Sequence, residues 1–292
     1  MMRLVLTALA CFAFLLVPAK AATEAQFAAM HDRFLTGYLA PAADRFVKAT
    51  SALSDAMTGR CSDATVSIEK PMRDAVTAGA GLTILHLPIV ETESRNARIL
   101  FHPDPRGVAG RQLRRLVNSD TAVDTMEGKS VALVGLGTLD RLVARLNEPR
   151  ACALAAAVSQ QLARTAEEIS TALPAYAGTV RKAGADNPLY RDHAEAAGKI
   201  IGSFATSIAA IRDLAVQPIL GESPQRSRWK AAPLRRSENT FVYLQAQAAA
   251  MVAMLEVLAP EGEGDVDRAR SALGFELSNV ARQLGNFTAP IE

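Results

Sequence analysis

Ser130-Val-Ala-Leu-Val-Gly135-Leu-Gly137-Thr-Leu-Asp140-Arg-Leu-Val143 is the stretch whose reading decides the fold. Taken alone, an apolar run entering Gly135-x-Gly137 reads as a strand feeding a dinucleotide-binding turn. That fingerprint needs a third glycine where Asp140 stands, and a βαβ series around it. No series of period-two β-branched segments occurs in the chain. Read with its neighbours, Lys129 to Leu146 is a bundle helix whose glycines permit close approach and whose Asp140 faces a site. The helical reading prevails.

Working outward, the three–four alternation of a bundle helix is clearest downstream. Ile201, Phe204, Ile208, Ile211 and Ala215 form one stripe, which stops near Pro218-Ile-Leu-Gly221. Phe241, Leu244, Ala248, Met251, Leu255 and Leu258 form a second, and Leu273, Leu277, Val280 and Leu284 a third. Between the first two lies a polar loop carrying Arg226, Arg228, Lys230, Arg235 and Arg236. Ala151 to Leu173 predicts an alanine-rich helix ended by Pro174 and Gly178, with a turn at Gly184-Ala-Asp-Asn-Pro188.

Upstream, Thr23 caps a helix bearing His31, Phe34 and Tyr38 on one face. Pro41 interrupts or restarts it, and Gly59 stops it. Ser62 to Ala80 has helical spacing, interrupted by Pro71 and broken by Gly79-Ala-Gly81. Residues 82–107, with Pro88, Pro103 and Pro105, form one extended stretch, and long irregular segments are often functional. A short helix is expected at Gly110 to Leu116, then a turn at Asn118-Ser-Asp120-Thr. A further turn is expected at Pro260-Glu-Gly-Glu-Gly264. The sum is an all-α protein of about eight helices in two antiparallel bundles, residues 22–148 and 149–292.

The N-terminus sets an address. Arg3, an apolar run from Leu4 to Pro18, and Ala19-Lys20-Ala21 spell a secretory signal peptide over residues 1–21, implying a periplasmic protein. The run is short for a membrane anchor, and the residues before Cys11 lack lipoprotein order. No transmembrane segment is expected after its removal. Losing Arg3 and Lys20 leaves 30 basic and 30 acidic residues. A neutral surface gives no electrostatic case for nucleic acid or anionic membrane. Cys61 and Cys152 remain, either as a disulfide closing a loop of about 90 residues or as two buried thiols.

Several segments together resemble the imelysin-like family of bacterial periplasmic proteins. They are Arg98-Ile-Leu-Phe-His-Pro-Asp104-Pro-Arg106-Gly107, Arg111-Gln-Leu, Lys129-Ser-Val-Ala-Leu-Val-Gly135, Cys152 opening its alanine-rich helix, and Pro218-Ile-Leu-Gly221 before the basic loop. Their order spans roughly residues 25–288. The resemblance implies two pseudo-symmetric helical bundles, a site at their interface, and a role beside iron-uptake components. It also implies a Gly-x-His-x-x-Glu motif, first described as a peptidase metal site. Here that motif falls on Gly135 to Asp140, with Gly137 in the His position and Asp140 in the Glu position.

A hydrolytic zinc centre needs about three protein ligands and an open water position, and Gly137 supplies none. The expectation is therefore a non-catalytic binding component for iron or another divalent metal, working with envelope metal-uptake proteins or a metal chelate. A divergent metal-dependent peptidase and an interaction protein with a decayed site are the alternatives. The candidate interface site comprises Gly135, Gly137, Asp140, Arg98, Asp104 and Arg106. Asp140 and His102 are candidate metal ligands, with Arg141, Arg145 or Arg98 as possible ion partners of Asp140. Asp104 and Arg106 have a plainer reading, pinning their loop onto a helix end. Arg235 and Arg236 are candidates for gripping a carboxylate-bearing chelate through guanidinium bonds.

Overall fold

A computed structural model describes residues 22–119, 125–258 and 265–286, and every regular element among them is helical. The segment 1–21 read as a signal peptide, the second half of the turn expected at Asn118-Ser-Asp120-Thr121 and the turn expected at Pro260–Gly264 lie outside the described residues. The helices are α1 (Glu24–Arg33), α2 (Ala40–Ser62), α3 (Glu69–Thr83), α4 (Pro88–Glu91), α5 (Arg95–Ile99) and α6 (Val108–Val117). They continue with α7 (Leu136–Leu142), α8 (Pro149–Arg181), α9 (His193–Ala210), α10 (Gln217–Leu220), α11 (Thr240–Leu258) and α12 (Asp265–Gly285).

Thr23 caps α1 as the sequence predicts, accepting from Gln26 N–H while the Gln26 side chain accepts from Thr23 N–H. This reciprocal arrangement satisfies two of the orphan donors at a helix start. Pro41 does not interrupt the run. A π-helical turn at Phe34–Leu39 leads straight into α2, with Pro41 in that helix's first turn, where its missing N–H matters little. Gly59 is passed for the same helix, which ends at Ser62.

Three other proline and glycine readings are corrected. Pro71 sits in the opening turn of α3, and Gly79 and Gly81 lie inside that helix. A Cβ at Gly79 would stand 3.2 Å from both Phe46 and Ile99 side-chain carbons, so the glycine exists for packing. Pro174 lies inside α8, on an exposed face, and the helix runs on to Arg181. The stretch 82–107 is not wholly irregular, because α4 and α5 occupy part of it. Lys129 to Leu146 is helical only from Leu136. A 3-10 turn at Val131–Leu133 precedes it, and Gly135 separates the two.

The long helices pack in a chain of neighbours: α2 against α8 and α3, α3 against α11, α11 against α12, and α9 against α1. A single apolar cluster, including Phe34, Phe46, Leu53, Met72, Leu139, Val158 and Met254, runs through them. Each large side chain fully buried there contributes about 1.5–3 kcal/mol. His31 is wholly buried in this cluster, its Nε2 donating to the His193 carbonyl at 2.9 Å, which is a packing role. The Cys61–Cys152 pair is a disulfide joining the end of α2 to the first turn of α8. Two helical runs, His193–Leu220 and Thr240–Leu258, are long and apolar enough to cross a membrane. The first packs against α1, the second against α3 and α12.

Candidate functional site

The site is built on Gly135. Its φ of 81° is left-handed, and a Cβ there would collide with the Arg98 carbonyl and lie 2.5 Å from that of Ile99. The missing side chain lets α7 start directly against the α5 backbone. Three residues into α7, Thr138 donates to the Ala132 carbonyl at 3.3 Å, fastening the helix to the preceding 3-10 turn. Gly137 is different: a Cβ would meet Leu100 and Phe101 at 3.5 and 3.9 Å, ordinary contact distances.

Asp140 follows, 4 % exposed. Its Oδ1 accepts from the Ser237 N–H at 2.7 Å and the Ser237 hydroxyl at 2.9 Å. Its Oδ2 lies 3.8 Å from Arg236 Nη1. Burial pushes its pKa up, against the pull of the Ser237 bonds and of Arg236 and Arg141. The bound loop is tightly folded. Leu234 and Glu238 adopt left-handed φ values of 53° and 59°, Asn239 N–H donates to the Leu234 carbonyl, and Thr240 donates to that of Pro233. Strained backbone of this kind persists only when its surroundings fix it.

Two sequence candidates thus meet, Asp140 and Arg236. They bring Arg141 with them, whose guanidinium is held below its ordinary pKa first by burial and then by Arg236. Arg114 adds a third cation. Guanidinium nitrogens of Arg141 and Arg114 flank Gly110, at 3.3 and 3.7 Å from where its Cβ would be. The result is a positive corner formed by α6, α7 and the basic loop, with Asp140 and Asp104 as its nearby counter-charges. Arg235 lies beside Arg236 in that loop, half-buried, its Nε without a partner.

The remaining candidates lie elsewhere. Arg98 forms a bidentate pair with Glu168 of α8, not with Asp140, and Arg145 pairs with Glu148 at 2.6 Å. Asp104 takes the plainer reading. Its two carboxylate oxygens accept from Val108 and Ala109 N–H at 2.7 and 2.9 Å, capping α6. Arg106 is exposed, and its carbonyl accepts from Arg111. His102 precedes a cis proline and lies on the wall of a separate cleft of about 350 Å³. Burial lowers its pKa, partly offset by a hydrogen bond to the Leu214 carbonyl.

Sequence reasoning missed Ser237, Arg114, Tyr243 and Gln247. The first two carry no motif, since only the tertiary fold brings them to Asp140 and Arg141. Tyr243 and Gln247 did leave a trace, being polar residues four apart, on one face of a mainly apolar helix.

These groups do not fit a resident metal centre. Gly137 offers no donor, Asp140 Oδ1 is engaged twice by Ser237, and no group of three or more His, Cys, Asp or Glu able to hold a metal occurs among the described residues. Hydrolytic steps through a metal therefore have no basis in this geometry.

No curated protein matches the chain. Among solved structures, an imelysin-like protein from Psychrobacter arcticum 273-4 superposes with a TM-score of 0.74 at 15 % identity. The match covers 91 % of this chain and 86 % of that one, a likeness of fold. Residues 39–272 match the family model described as Imelysin, which is labelled a peptidase family. That match spans most of the helices described above, and the chain belongs to the imelysin family.

Proposed function

We propose that the protein is a non-catalytic binding component of the cell envelope that recognises a carboxylate-bearing metal chelate, in the service of iron or other metal acquisition. The observation that carries this reading is the placement of Arg236 beside Arg141 by the Asp140–Ser237 bonds. Two guanidinium groups of like sign in a half-buried corner repel one another. A multivalent carboxylate would relieve that repulsion and form bidentate charge-assisted bonds. A chelate suits the corner better than a bare cation, because cations dominate it and Asp140 is already engaged. Export through the N-terminal segment and work with envelope metal-uptake proteins are part of the same proposal.

The test is titration of the mature, metal-stripped protein with ferric citrate, free citrate, ferrous ion and zinc ion, read by calorimetry and by melting temperature. Ligands that bind only the folded state stabilise it. Ferric citrate and citrate should raise the melting temperature saturably, and Arg236→Gln and Arg141→Gln should each weaken binding at least tenfold. Bare metal ions that bind as tightly as the chelate, or a chelate indifferent to both substitutions, would overturn the proposal.

A further inference from the structure

The cleft that holds His102 is a second site of different chemistry. It lies between the end of α3, α5 with the following segment, the π-helical turn Ile211–Val216, and α11. Its volume of about 350 Å³ falls within the range of small-molecule pockets. Of the described residues that line it, none is Asp, Glu, Lys or Arg. A charged ligand would leave water without a compensating charge, which is heavily unfavourable. The exposed Glu91, 3.7 Å from His86 Nδ1, is the acid next to one wall residue and does not itself line the cleft.

A buried amide oxygen and a buried imidazole nitrogen on this cleft's walls are unsatisfied. Gln247 is 5 % exposed, and its Oε1 has no partner. The orientation of that amide is fixed by a directional chain. Gln247 Nε2 donates to the Tyr243 hydroxyl at 2.9 Å, Tyr243 reaches Thr83 Oγ1 at 2.9 Å, and Thr83 donates to the Ala80 carbonyl at 3.1 Å. Because the Thr83 hydrogen goes to Ala80, Tyr243 must donate to Thr83 and accept from Gln247. Burial pushes the Tyr243 phenol up to about 12, so it keeps that proton at neutral pH. Oε1 is therefore the free end. His102 Nε2 is likewise buried and unpartnered. An unmatched buried polar atom is costly, and two in one cleft mark a place for a polar guest.

We propose that this cleft binds a small uncharged organic molecule with an apolar body and an amide-like group, whose N–H donates to Gln247 Oε1 and which also meets the unpartnered His102 Nε2. The apolar body rests on Leu100, Phe101, Ile211 and Leu214, and the donor end lies toward α11. This site shares no residue with the arginine corner, so either proposal can fail alone.

Three molecules of nearly one shape separate the possibilities: benzamide is neutral, benzoate an anion and benzamidine a cation. Binding is followed by calorimetry and ligand-observed NMR on the full mature protein, with propionamide as a smaller neutral probe. Benzamide or propionamide should bind saturably, with benzoate and benzamidine at least tenfold weaker than benzamide. Gln247→Leu should weaken neutral-amide binding at least tenfold, and Ala210→Phe, which fills the cleft, should abolish it. Because the comparison of the three probes uses the unaltered protein, misfolding of a variant cannot decide the outcome. Failure of both amides to saturate, equal affinity for the three isosteres, or a crystal soak showing only water on Gln247 would overturn the proposal.

Discussion

At Gly135 an added methyl group meets the Arg98 and Ile99 carbonyls with no room to yield, and the backbone is left-handed as well. Left-handed strain alone costs about 1–3 kcal/mol for a non-glycine residue. Gly135→Ala should therefore lower unfolding stability in urea by more than about 2 kcal/mol. Gly137→Ala, two residues on, makes only ordinary contacts from a helical turn and should be neutral or stabilising by up to about 1 kcal/mol. Equal losses at both positions would contradict the packing described. Asp140 makes a different prediction. Its pKa in the folded protein is raised above the ordinary carboxylate value by burial, so the folded state binds more protons there than the unfolded state. Stability contributed at this residue falls as pH rises from the unfolded value through the folded one. Asp140→Asn cannot titrate. Its melting temperature relative to the parent should thus climb as pH rises from about 4 into the neutral range. A flat difference across that range would show that the Ser237 and arginine contacts balance burial, and a falling one that they outweigh it.

Among the elements, α6 carries the clearest wager. Its N-terminus is capped not by the residue at the helix start, Gly107, but by Asp104, whose two oxygens take the Val108 and Ala109 N–H groups. Losing a cap removes about 0.5–2 kcal/mol, and the carboxylate also favours the positive end of the helix dipole. Asp104→Ala should lose about 1–2 kcal/mol in urea unfolding, and Asp104→Asn should recover part of it. Full stability in Asp104→Ala with weakened ligand binding would turn Asp104 from a cap into a ligand. The elements also show what a single sequence conveys. The helices α9, α11 and α12 were legible because their apolar residues recur every three or four positions and their flanks carry clear breakers. The core face of α9 nonetheless lies one position off the predicted stripe: Ile201 and Ile208 are exposed, while Ile200, Ser203, Phe204 and Ser207 are buried. Proline and glycine misled wherever three-dimensional packing overrode local preference. Gly79 sits in mid-helix because Phe46, Ile99 and Leu136 crowd it, and Pro71 is harmless in a first turn. The site was half legible. Asp140 and Arg236 were both singled out, but their meeting depends on Ser237, 97 residues away in sequence. No local pattern encodes such a contact.

On the scale of the whole molecule, the disulfide spans a sequence separation of 91 residues and fastens α2 to α8, two long helices that already pack along one another. Closing so long a loop restricts the unfolded chain far more than the folded one. The chain-entropy relation assigns about 4–5 kcal/mol to a ring of that size. This is a large share of the 5–15 kcal/mol by which native proteins are ordinarily stable. Cys61 is exposed whereas Cys152 is buried, so a reductant can approach from the α2 side. Urea unfolding of the protein should therefore show a drop of about 4 kcal/mol when reductant is added. The Cys61→Ala/Cys152→Ala double variant should start at that lower stability and be indifferent to reductant. Native packing between α2 and α8 does not need the bond, so the reduced protein should still bind citrate with unchanged affinity at low temperature. Reduction that abolished binding while the helices stayed folded would mean instead that the bond sets the geometry of the arginine corner, transmitted from α8 to α7.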